Sequence, residues 1–576
     1  IEGIRDNGTG YHVLVGARAV TSPGQSIDNA TIVIRNGMIQ SVERGGAAPA
    51  GARVWDLEGH TVYAGFIDSH ADLGMDQVPE GGDVGPTHWN PQVRAWFSTT
   101  ANLQDDEDRR QALRSQGFGT ALVVPKQGIF RGTASVVNLG DTGVRDRILR
   151  PDVAQSIGFQ RSFELGGRYP NSAMGTIALM KQTFMDADWY MRAWGAYEAS
   201  GRAFLPPETS AALEALESAV QGQQPVIFET RSEEEYLRGQ ILAEDFGLDA
   251  WYRGNGQEYR IIDVLGENTE PLFVPLDFPD APDVDNPEAA MNASLAELRH
   301  WYLAPTNAGQ LADAGIDFAI TSDGLTSVGD FLPNLRTAVA RGLSPDDALA
   351  AITTAPARYL GIEGTHGTIA AGNVANLVVA EGDLFTQEVD VRDVWVHGTV
   401  YGVTRAAQID PRGTWVIQSE DQWGFQAQLT LEGTMNRLSG YIDVAPGANV
   451  DEGVRVEIAS ASVVSETGRL EVTFDGEELG YEGTALLAGS VSGEDFYGWT
   501  SLPNGANPSF QGERTAAFDG ADVGTVASDV PDIDLPFIRP MMEYGVSSLP
   551  DLPSAVIVRN ATVWTQGPQG KMENAD

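Results

Sequence analysis

Short runs of alternating apolar and polar residues, separated by turn residues, occupy the first sixty positions. The runs at 12–15, 30–35, 38–42 and 53–57 are rich in β-branched residues and are bounded by Gly, Asn or Pro. This pattern is typical of a small antiparallel sheet.

From about residue 61 to residue 355, apolar strand candidates alternate with helix candidates. Helices are predicted at 232–246 and 330–340. Strands are predicted at 62–68, 119–124, 134–139, 151–155, 225–229, 249–253, 271–275 and 317–321. The alternation favours a closed parallel sheet, and eight strands fit a (β/α)8 TIM-like barrel.

Strand patterns return after the predicted barrel. Residues 367–380 and 394–401 are expected to join the first sheet, giving a composite β-sandwich domain built from both flanks of the barrel. Residues 413–516 carry strands every 8–12 residues with Gly or Asn turns, which predicts an extra all-β module, either a barrel or a sandwich. The predicted fold class is therefore α/β, with two additional β-rich parts.

These patterns divide the chain into five segments. They are 1–60 and 361–410 for the composite β-domain, 61–360 for the barrel, 411–520 for the all-β module, and 521–576 for a Pro-rich acidic linker and the start of a second unit. Residues 556–565 resemble residues 13–21, and each stretch precedes a Gly/Pro turn and an Asn-Ala pair. The echo predicts the start of a second copy of the first unit, with chance similarity of short strands as the alternative.

Composition excludes several functions. With 80 acidic against 37 basic residues the formal net charge is -43, which disfavours nucleic acid or an anionic membrane as a partner. No run approaches the ~18 apolar residues of a membrane span. The absence of Cys excludes disulfides and Cys nucleophiles, and it fits a periplasmic or secreted location, as does a chain that begins with Ile as a trimmed product would. The sequence contains no Gly-x-Ser-x-Gly motif of serine hydrolases.

Metal-capable side chains lie at the end of the first predicted barrel strand. Asp68, His70 and Asp72 alternate, so an extended chain points them the same way. Barrels of this class place their active sites at the carboxyl ends of the strands. Residues 61–74 therefore predict one edge of an active site.

Three segments resemble the amidohydrolase superfamily. Residues 62–74 resemble its first-strand motif, and residues 318–324 look like its eighth strand, which ends in a metal-bound Asp. Residues 353–362 and 367–379 look like its closing helix and the Gly-x-Ile run after it. Imidazolonepropionases and dipeptidases are the nearest branches. Over residues 11–405 the resemblance implies a distorted barrel with a composite β-domain.

The resemblance also implies a ligand set. His70, Asp72, Glu229 on strand five and Asp323 on strand eight would hold a divalent metal, with Asp323 as general base toward a metal-activated water. Asp72 and Glu229 stand where the family has His, and strand six offers only Asn255. Zinc or manganese is the expected cofactor. Because most of the ligand atoms are oxygens, the set is better suited to Mn, Mg or Ca than to zinc. The alternative is a vestigial centre that holds no metal.

Four other side chains are candidates for the predicted barrel mouth. Lys126 is expected to be a surface or loop lysine, with a metal bridge as the alternative. Arg131 and Arg231 are candidates to neutralise acids at the mouth, with solvent exposure as the alternative. His88 is a candidate to fold back over the mouth, with a position in its Gly/Pro-rich loop as the alternative.

The resemblance also sets the functional expectation. The parent protein is expected to hydrolyse C–N bonds in cyclic amides or peptides, with a small-molecule or peptide substrate and with this unit degenerate at its metal centre. The alternative is a non-catalytic scaffold or binding subunit. In both cases the expected partner is a second amidohydrolase-like unit of the same protein.

Overall fold

A computed structural model describes most of the chain. The described residues are 11–75, 87–159, 169–266, 270–284, 286–403, 409–419, 426–435, 437–446, 453–464, 467–518, 554–576 and the single positions 533, 535, 538 and 546. The chain divides into two compact units, one containing Ile1–Pro279 and Leu303–Asp529, the other Asp280–Tyr302 and Val530–Asp576.

The strands are β1 (Tyr11–Ser22), β2 (Gln25–Arg35), β3 (Met38–Arg44), β4 (Arg53–Asp56), β5 (Thr61–Ala64), β6 (Phe66–Ala71), β7 (Phe118–Val123), β8 (Phe130–Asn138), β9 (Ile148–Gly158), β10 (Val226–Glu229), β11 (Ala250–Arg253), β12 (Leu272–Pro275), β13 (Ala319–Thr321), β14 (Leu377–Ala380), β15 (Val391–Val396), β16 (Thr399–Gly402), β17 (Gly413–Gln418), β18 (Gln426–Thr434), β19 (Arg437–Val444), β20 (Val454–Val464), β21 (Arg469–Asp475), β22 (Thr484–Ser492), β23 (Asp495–Ser501), β24 (Ser509–Ala517), β25 (Ala561–Trp564) and β26 (Lys571–Ala575).

The α-helices are α1 (Thr99–Asn102), α2 (Glu107–Ser115), α3 (Ala173–Ala199), α4 (Ala211–Ala215), α5 (Glu217–Val220), α6 (Glu233–Phe246), α7 (Ile262–Leu265), α8 (Pro287–Ala290), α9 (Leu295–Leu303), α10 (Asn307–Asp313), α11 (Phe331–Ala340), α12 (Pro345–Ile352) and α13 (Thr354–Tyr359). The two helices predicted from sequence correspond to α6, which Ser232 caps through its hydroxyl, and α11.

The composite β-domain is built from both flanks, as expected. Its strand order is β16-β15-β14-β5-β1-β2-β3, and β4 pairs with β1. The C-terminal flank joins the N-terminal one where β14 runs antiparallel to β5, with Leu377 opposite Ala64. These strands form one hydrogen-bonded sheet of eight strands, whereas the sequence predicts a sandwich.

The strand predicted at 62–68 is in fact two strands that belong to different sheets. The chain changes sheets at Gly65, whose N–H donates to the carbonyl of Asn376 at 2.8 Å. A Cβ on Gly65 would lie 2.8 Å from the Asn376 Cβ, so this close approach needs glycine. β5 therefore ends the composite sheet, and β6 begins the next one.

The second sheet has the order β13-β12-β11-β10-β9-β8-β7-β6, and its eight strands match the eight predicted positions. Neighbouring strands run parallel except at β8, which is antiparallel to both β7 and β9. The expectation of an all-parallel sheet is wrong there. The connections on either side of β8 contain no α-helix and are too short for a parallel crossover.

Hydrogen bonds bring the first and last strands of this sheet together. The Ser69 hydroxyl donates to the Ile320 carbonyl at 3.0 Å, and the Thr321 hydroxyl oxygen lies within hydrogen-bond distance of both the His70 carbonyl, at 2.6 Å, and the Asp68 carboxylate, at 2.7 Å. Strand ends that are far apart in the sequence thereby meet at one edge.

The all-β module is a closed antiparallel barrel of eight strands, β17 to β24, which confirms the predicted module. Alternate residues point inward, as on β18, and its core includes the fully buried Trp415, Leu429 and Phe496. The module carries its own hydrophobic core, separate from that of the second sheet.

The smaller unit contains α8, most of α9 and the β25–β26 hairpin. In it, the backbone N–H of Ile533 donates to the Tyr302 hydroxyl at 2.5 Å. The predicted Pro-rich linker falls almost wholly outside the described residues. None of the helices in the described ranges is long and apolar enough to cross a bilayer.

Candidate active site

Three of the four predicted metal ligands meet at one edge of the second sheet. His70 lies near the end of β6, Glu229 ends β10 and Asp323 lies just after β13. Their ligand atoms all lie within 4.8 Å of one another. His70 Nε2 is 3.8 Å from Glu229 Oε2, and His70 Nδ1 is 3.4 Å from Asp323 Oδ2. Asp72, the fourth predicted ligand, is not in this group of described residues.

Lys126 reaches into the middle of this group. Its Nζ lies 2.7 Å from Asp323 Oδ1, 3.3 Å from Glu229 Oε2 and 3.4 Å from His70 Nδ1. Lys126 lies in a loop, as one of the expectations had it, but its ammonium lies in the centre and not at the surface. Lys126 lies just after β7, the neighbour of β6, so the loop delivers the ammonium to the same edge of the sheet as His70.

Arg131, one of the two arginines expected to neutralise acids, binds Glu229. Its Nη1 donates to Oε2 at 2.5 Å and its Nη2 to Oε1 at 3.2 Å, a bidentate pair with a fully buried guanidinium. Gly158, which is paired with Glu229 across β9 and β10, leaves the space for it. A Cβ on Gly158 would lie 2.0 Å from Arg131 Nη2.

Arg253, the last residue of β11, was missed from the sequence. Its Nε donates to Asp323 Oδ2 at 2.8 Å and its Nη2 to the Asp323 carbonyl at 3.0 Å. Asn255, the sequence candidate at this strand, instead accepts the Gln257 N–H in a turn at 2.9 Å. The available signal was the position of Arg253 at the carboxyl end of a predicted strand.

The cations fix the protonation of the centre. Burial alone would raise the pKa of Glu229, but Arg131 and Lys126 hold it well below its ordinary value. Burial likewise opposes ionisation of Asp323, yet His70, Arg253 and Lys126 lower its pKa well below normal. Burial, together with the charge of Lys126, lowers the pKa of His70 and favours its neutral form. The centre thus holds two carboxylates and a neutral imidazole at neutral pH.

Asp68 lies beside this centre in an uncharged environment. It is fully buried and accepts from the hydroxyls of Thr321 at 2.7 Å and Ser322 at 2.5 Å. The backbone N–H groups of His70 and Ser322 add bonds at 3.2 Å. Burial raises the pKa of Asp68, and these hydrogen bonds only partly offset the effect. Asp68 therefore ties β6 to the residues at the end of β13.

The donor set can be tested for a divalent metal. In its favour, His70 Nε2 is buried and has no hydrogen-bond partner among the described residues. Against it, the Lys126 ammonium already contacts all three groups, and a guanidinium binds each carboxylate. Metal–ligand distances of about 2.0–2.2 Å would require the ammonium to leave. As arranged, the centre does not fit a divalent ion.

The other two candidates, His88 and Arg231, make local hydrogen bonds. The His88 ring nitrogen Nδ1 accepts the Asn90 N–H at 3.1 Å. The backbone N–H of Arg231 donates to Glu235 at 2.8 Å. Beside Lys126, a small cleft is lined by Arg94, Phe97 and Gln127, among others.

Comparison with known proteins agrees with this fold. Residues 306–409 match the amidohydrolase family model. The chain is similar to an amidohydrolase structure from Thermotoga maritima, with 20% identity and a TM-score of 0.57 over 67% of this chain and 98% of that one. The family model matches one part of the chain, and the structural likeness, at 20% identity, shows a shared fold.

Two curated relatives match parts of this chain. The chain is 35% identical to adenine deaminase 2 of Jannaschia sp. over 112 residues, covering 18% of this chain and 17% of the relative. It is 23% identical to the amidohydrolase tasK of Hapsidospora irregularis over 404 residues, covering 64% of this chain and 39% of the relative. The chain thus spans less than half the length of either relative.

Proposed function

We propose that this chain is the amidohydrolase-like unit of a larger hydrolase that cleaves C–N bonds in amides or cyclic amides, and that this unit supports the reaction without catalysing it. The observation that carries the proposal is the position of Lys126 among His70, Glu229 and Asp323. The superfamily fold and the names of the two relatives support C–N chemistry for the whole protein.

The electrostatics argue against catalysis in this unit. A general base works best when its pKa lies near the working pH. Asp323 and Glu229 have pKa values held far below neutral, so neither carboxylate readily takes a proton from water. Each is also engaged by a guanidinium, which leaves little freedom to move toward a substrate.

The two hairpins support a second unit in the parent protein. In β1–β2, Ala17 pairs with Ala30 and the register shifts between Ala17 and Ala19. In β25–β26, Ala561 pairs with Ala575 and the register shifts just after Ala561. Both hairpins therefore contain an Ala–Ala pair with a register shift next to it.

The backbone of the two hairpins also agrees. Asn29 and Asn574, each one residue before the paired Ala, have φ values of 50° and 54°. Non-glycine residues seldom adopt this left-handed conformation, so this one match is more informative than similar apolar runs. We therefore propose that β25 and β26 begin a second amidohydrolase-like unit, which would carry the reaction.

A direct comparison tests the proposal. The purified chain and the complete protein are assayed on one panel of amides, cyclic amides and dipeptides, with zinc or manganese added. We expect turnover by the complete protein and none by this chain. Turnover by this chain that is lost in Asp323→Asn would contradict a supporting role, and no turnover by either would contradict C–N hydrolysis on that panel.

Metal-dependent hydrolysis at this centre is the second candidate. The unpartnered Nε2 of His70 favours it, because a buried imidazole nitrogen without a hydrogen bond is a suitable metal ligand. This candidate requires activity of the isolated chain that a chelator abolishes and added metal restores.

A further inference from the structure

The Lys126 ammonium occupies the position that a bound metal ion would take among His70, Glu229 and Asp323. A protonated amine has three N–H donors. Three atoms lie within 3.4 Å of Lys126 Nζ: a carboxylate oxygen each of Glu229 and Asp323, and His70 Nδ1, which accepts in the tautomer that carries its proton on Nε2. These are the same three residues that form the candidate metal group. The ammonium and a metal ion would therefore compete for one position.

The net charge of the centre favours the Lys126 ammonium over a divalent metal ion. Lys126, Arg131 and Arg253 bring three positive charges to the carboxylates of Glu229 and Asp323. A divalent ion added beside them would meet cations at short range in a largely buried site, where Coulomb repulsion is screened less than in water. If the ammonium were removed, the divalent ion would meet only the two guanidinium groups.

Steric constraints make the guanidinium hard to displace. Arg131 is fully buried, and its guanidinium occupies the space that a side chain at Gly158 would fill. Its Nε also donates to the Gly128 carbonyl at 3.2 Å. Lys126, with 27% of its side chain exposed, is the least enclosed of the three cations and the one nearest to all three acceptors.

We infer that Lys126 is a built-in replacement for a metal ion, and that removing its charge converts His70, Glu229 and Asp323 into a site for a divalent transition metal. The inference rests on the geometry of the centre and deepens the supporting role proposed above. It can be tested without substrate, so its failure is distinguishable from failure of the proposed reaction.

The test is metal uptake by Lys126→Gln. Wild type, the variant and the control Lys181→Gln, which changes a surface lysine paired with Asp245, are stripped with chelator, incubated with Zn²⁺ or Mn²⁺ and desalted. Metal content is measured by mass spectrometry and affinity by calorimetry. We expect about one ion per chain for Lys126→Gln, bound at least about tenfold more tightly than by wild type or the control.

The double variant Lys126→Gln/Asp323→Asn locates the ion, because loss of one ligand should remove the gained binding. Equal binding by wild type and Lys126→Gln would overturn the inference, as would no binding by a folded Lys126→Gln. If that variant does not fold, amine labelling of wild type decides. Labelling of Lys126 that is unchanged by Zn²⁺ supports the inference, and increased labelling overturns it.

Discussion

Two buried carboxylates at neighbouring positions of the same sheet edge behave in opposite ways. Asp68 is surrounded by hydroxyl and backbone N–H donors, and burial raises its pKa. Asp323 is also largely withdrawn from bulk water, yet His70, Arg253 and Lys126 lower its pKa well below normal. Burial is common to both acids, so the charge of the partners decides whether the pKa is raised or lowered.

The difference separates two roles within the site. The uncharged network of Asp68 joins the ends of the sheet and tolerates a protonated acid. The charged network of Glu229 and Asp323 needs ionised acids, because each cation that faces them would otherwise be buried without a counterion. The two networks should therefore respond differently to mutation and to pH.

Arg131→Ala should have the largest effect on stability. It leaves Glu229 with the Lys126 ammonium in place of a bidentate guanidinium, and it opens a buried space. Breaking a buried ion pair in this way costs about 3–5 kcal/mol. Urea denaturation at pH 7 measures it. Arg131→Met/Glu229→Gln, which removes both charges, should recover part of the loss, and a loss no larger than that of a surface pair would refute the charged network.

Asp68→Ala should cause the second-largest loss of stability. It leaves the Ser322 hydroxyl without its buried acceptor, whereas the Thr321 hydroxyl can still donate to the His70 carbonyl, and the loss should cost about 1–3 kcal/mol. Asp68→Asn keeps a carbonyl acceptor and adds no charge, so its loss should be about 1 kcal/mol or less. Equal losses for the two variants in urea denaturation would show that Asp68 acts through its charge.

The pH dependence of stability should distinguish the two acids next. Glu229 and Asp323 have lowered pKa values, so their contribution is present above about pH 4 and is lost as pH falls through their folded pKa values. Asp68 has a raised pKa, so stability decreases as pH rises from about 4 through that value.

When the folded and unfolded states differ by one bound proton, the free energy of unfolding changes by about 1.4 kcal/mol per pH unit. The free energy of unfolding should be measured from pH 3 to pH 8. Asp323→Asn should reduce the loss of stability as the pH falls, and Asp68→Asn should remove the loss of stability as the pH rises above about 4. Identical profiles for the two variants would contradict the assignment of opposite shifts.

Arg192→Ala should have the smallest effect and serves as the control. Arg192 pairs with Asp188 on the surface of α3 at 2.6 Å, and 68% of its side chain is exposed. Exposed pairs at this spacing contribute about 0.3–0.5 kcal/mol. A loss near that of Arg131→Ala in the same urea experiment would mean that burial does not separate the two kinds of ion pair.

The sequence indicated the acids of the centre because the relevant pattern is local. His70, Glu229 and Asp323 each end an apolar run or come directly after one, and parallel strands bring such ends to one edge. Asp72 fits the same pattern but lies beyond the end of β6, where the strand no longer fixes its direction. Alternation predicts side-chain direction only as far as the strand extends.

The cations were harder to predict because their partners are distant in sequence. Lys126 is 103 residues from Glu229 and 197 from Asp323, and nothing near Lys126 marks it as buried. Arg253 ends a predicted strand, but a terminal arginine is usually solvated. The antiparallel direction of β8, which places Arg131 against Glu229, results from short connections that the strand pattern alone did not reveal.

The bonds that link β6 to β13 set an order of events during synthesis. Ser69 and Ile320, which share one of these bonds, are 251 residues apart. At about 5–20 residues per second, a ribosome needs roughly 12–50 s to make the intervening chain. Through that interval β6 has already emerged with His70 and Asp68 but without the strand that completes their surroundings. The nascent chain therefore holds Asp68 and His70 in water, hydrated rather than bonded to β13, until the last strand of the sheet has been made.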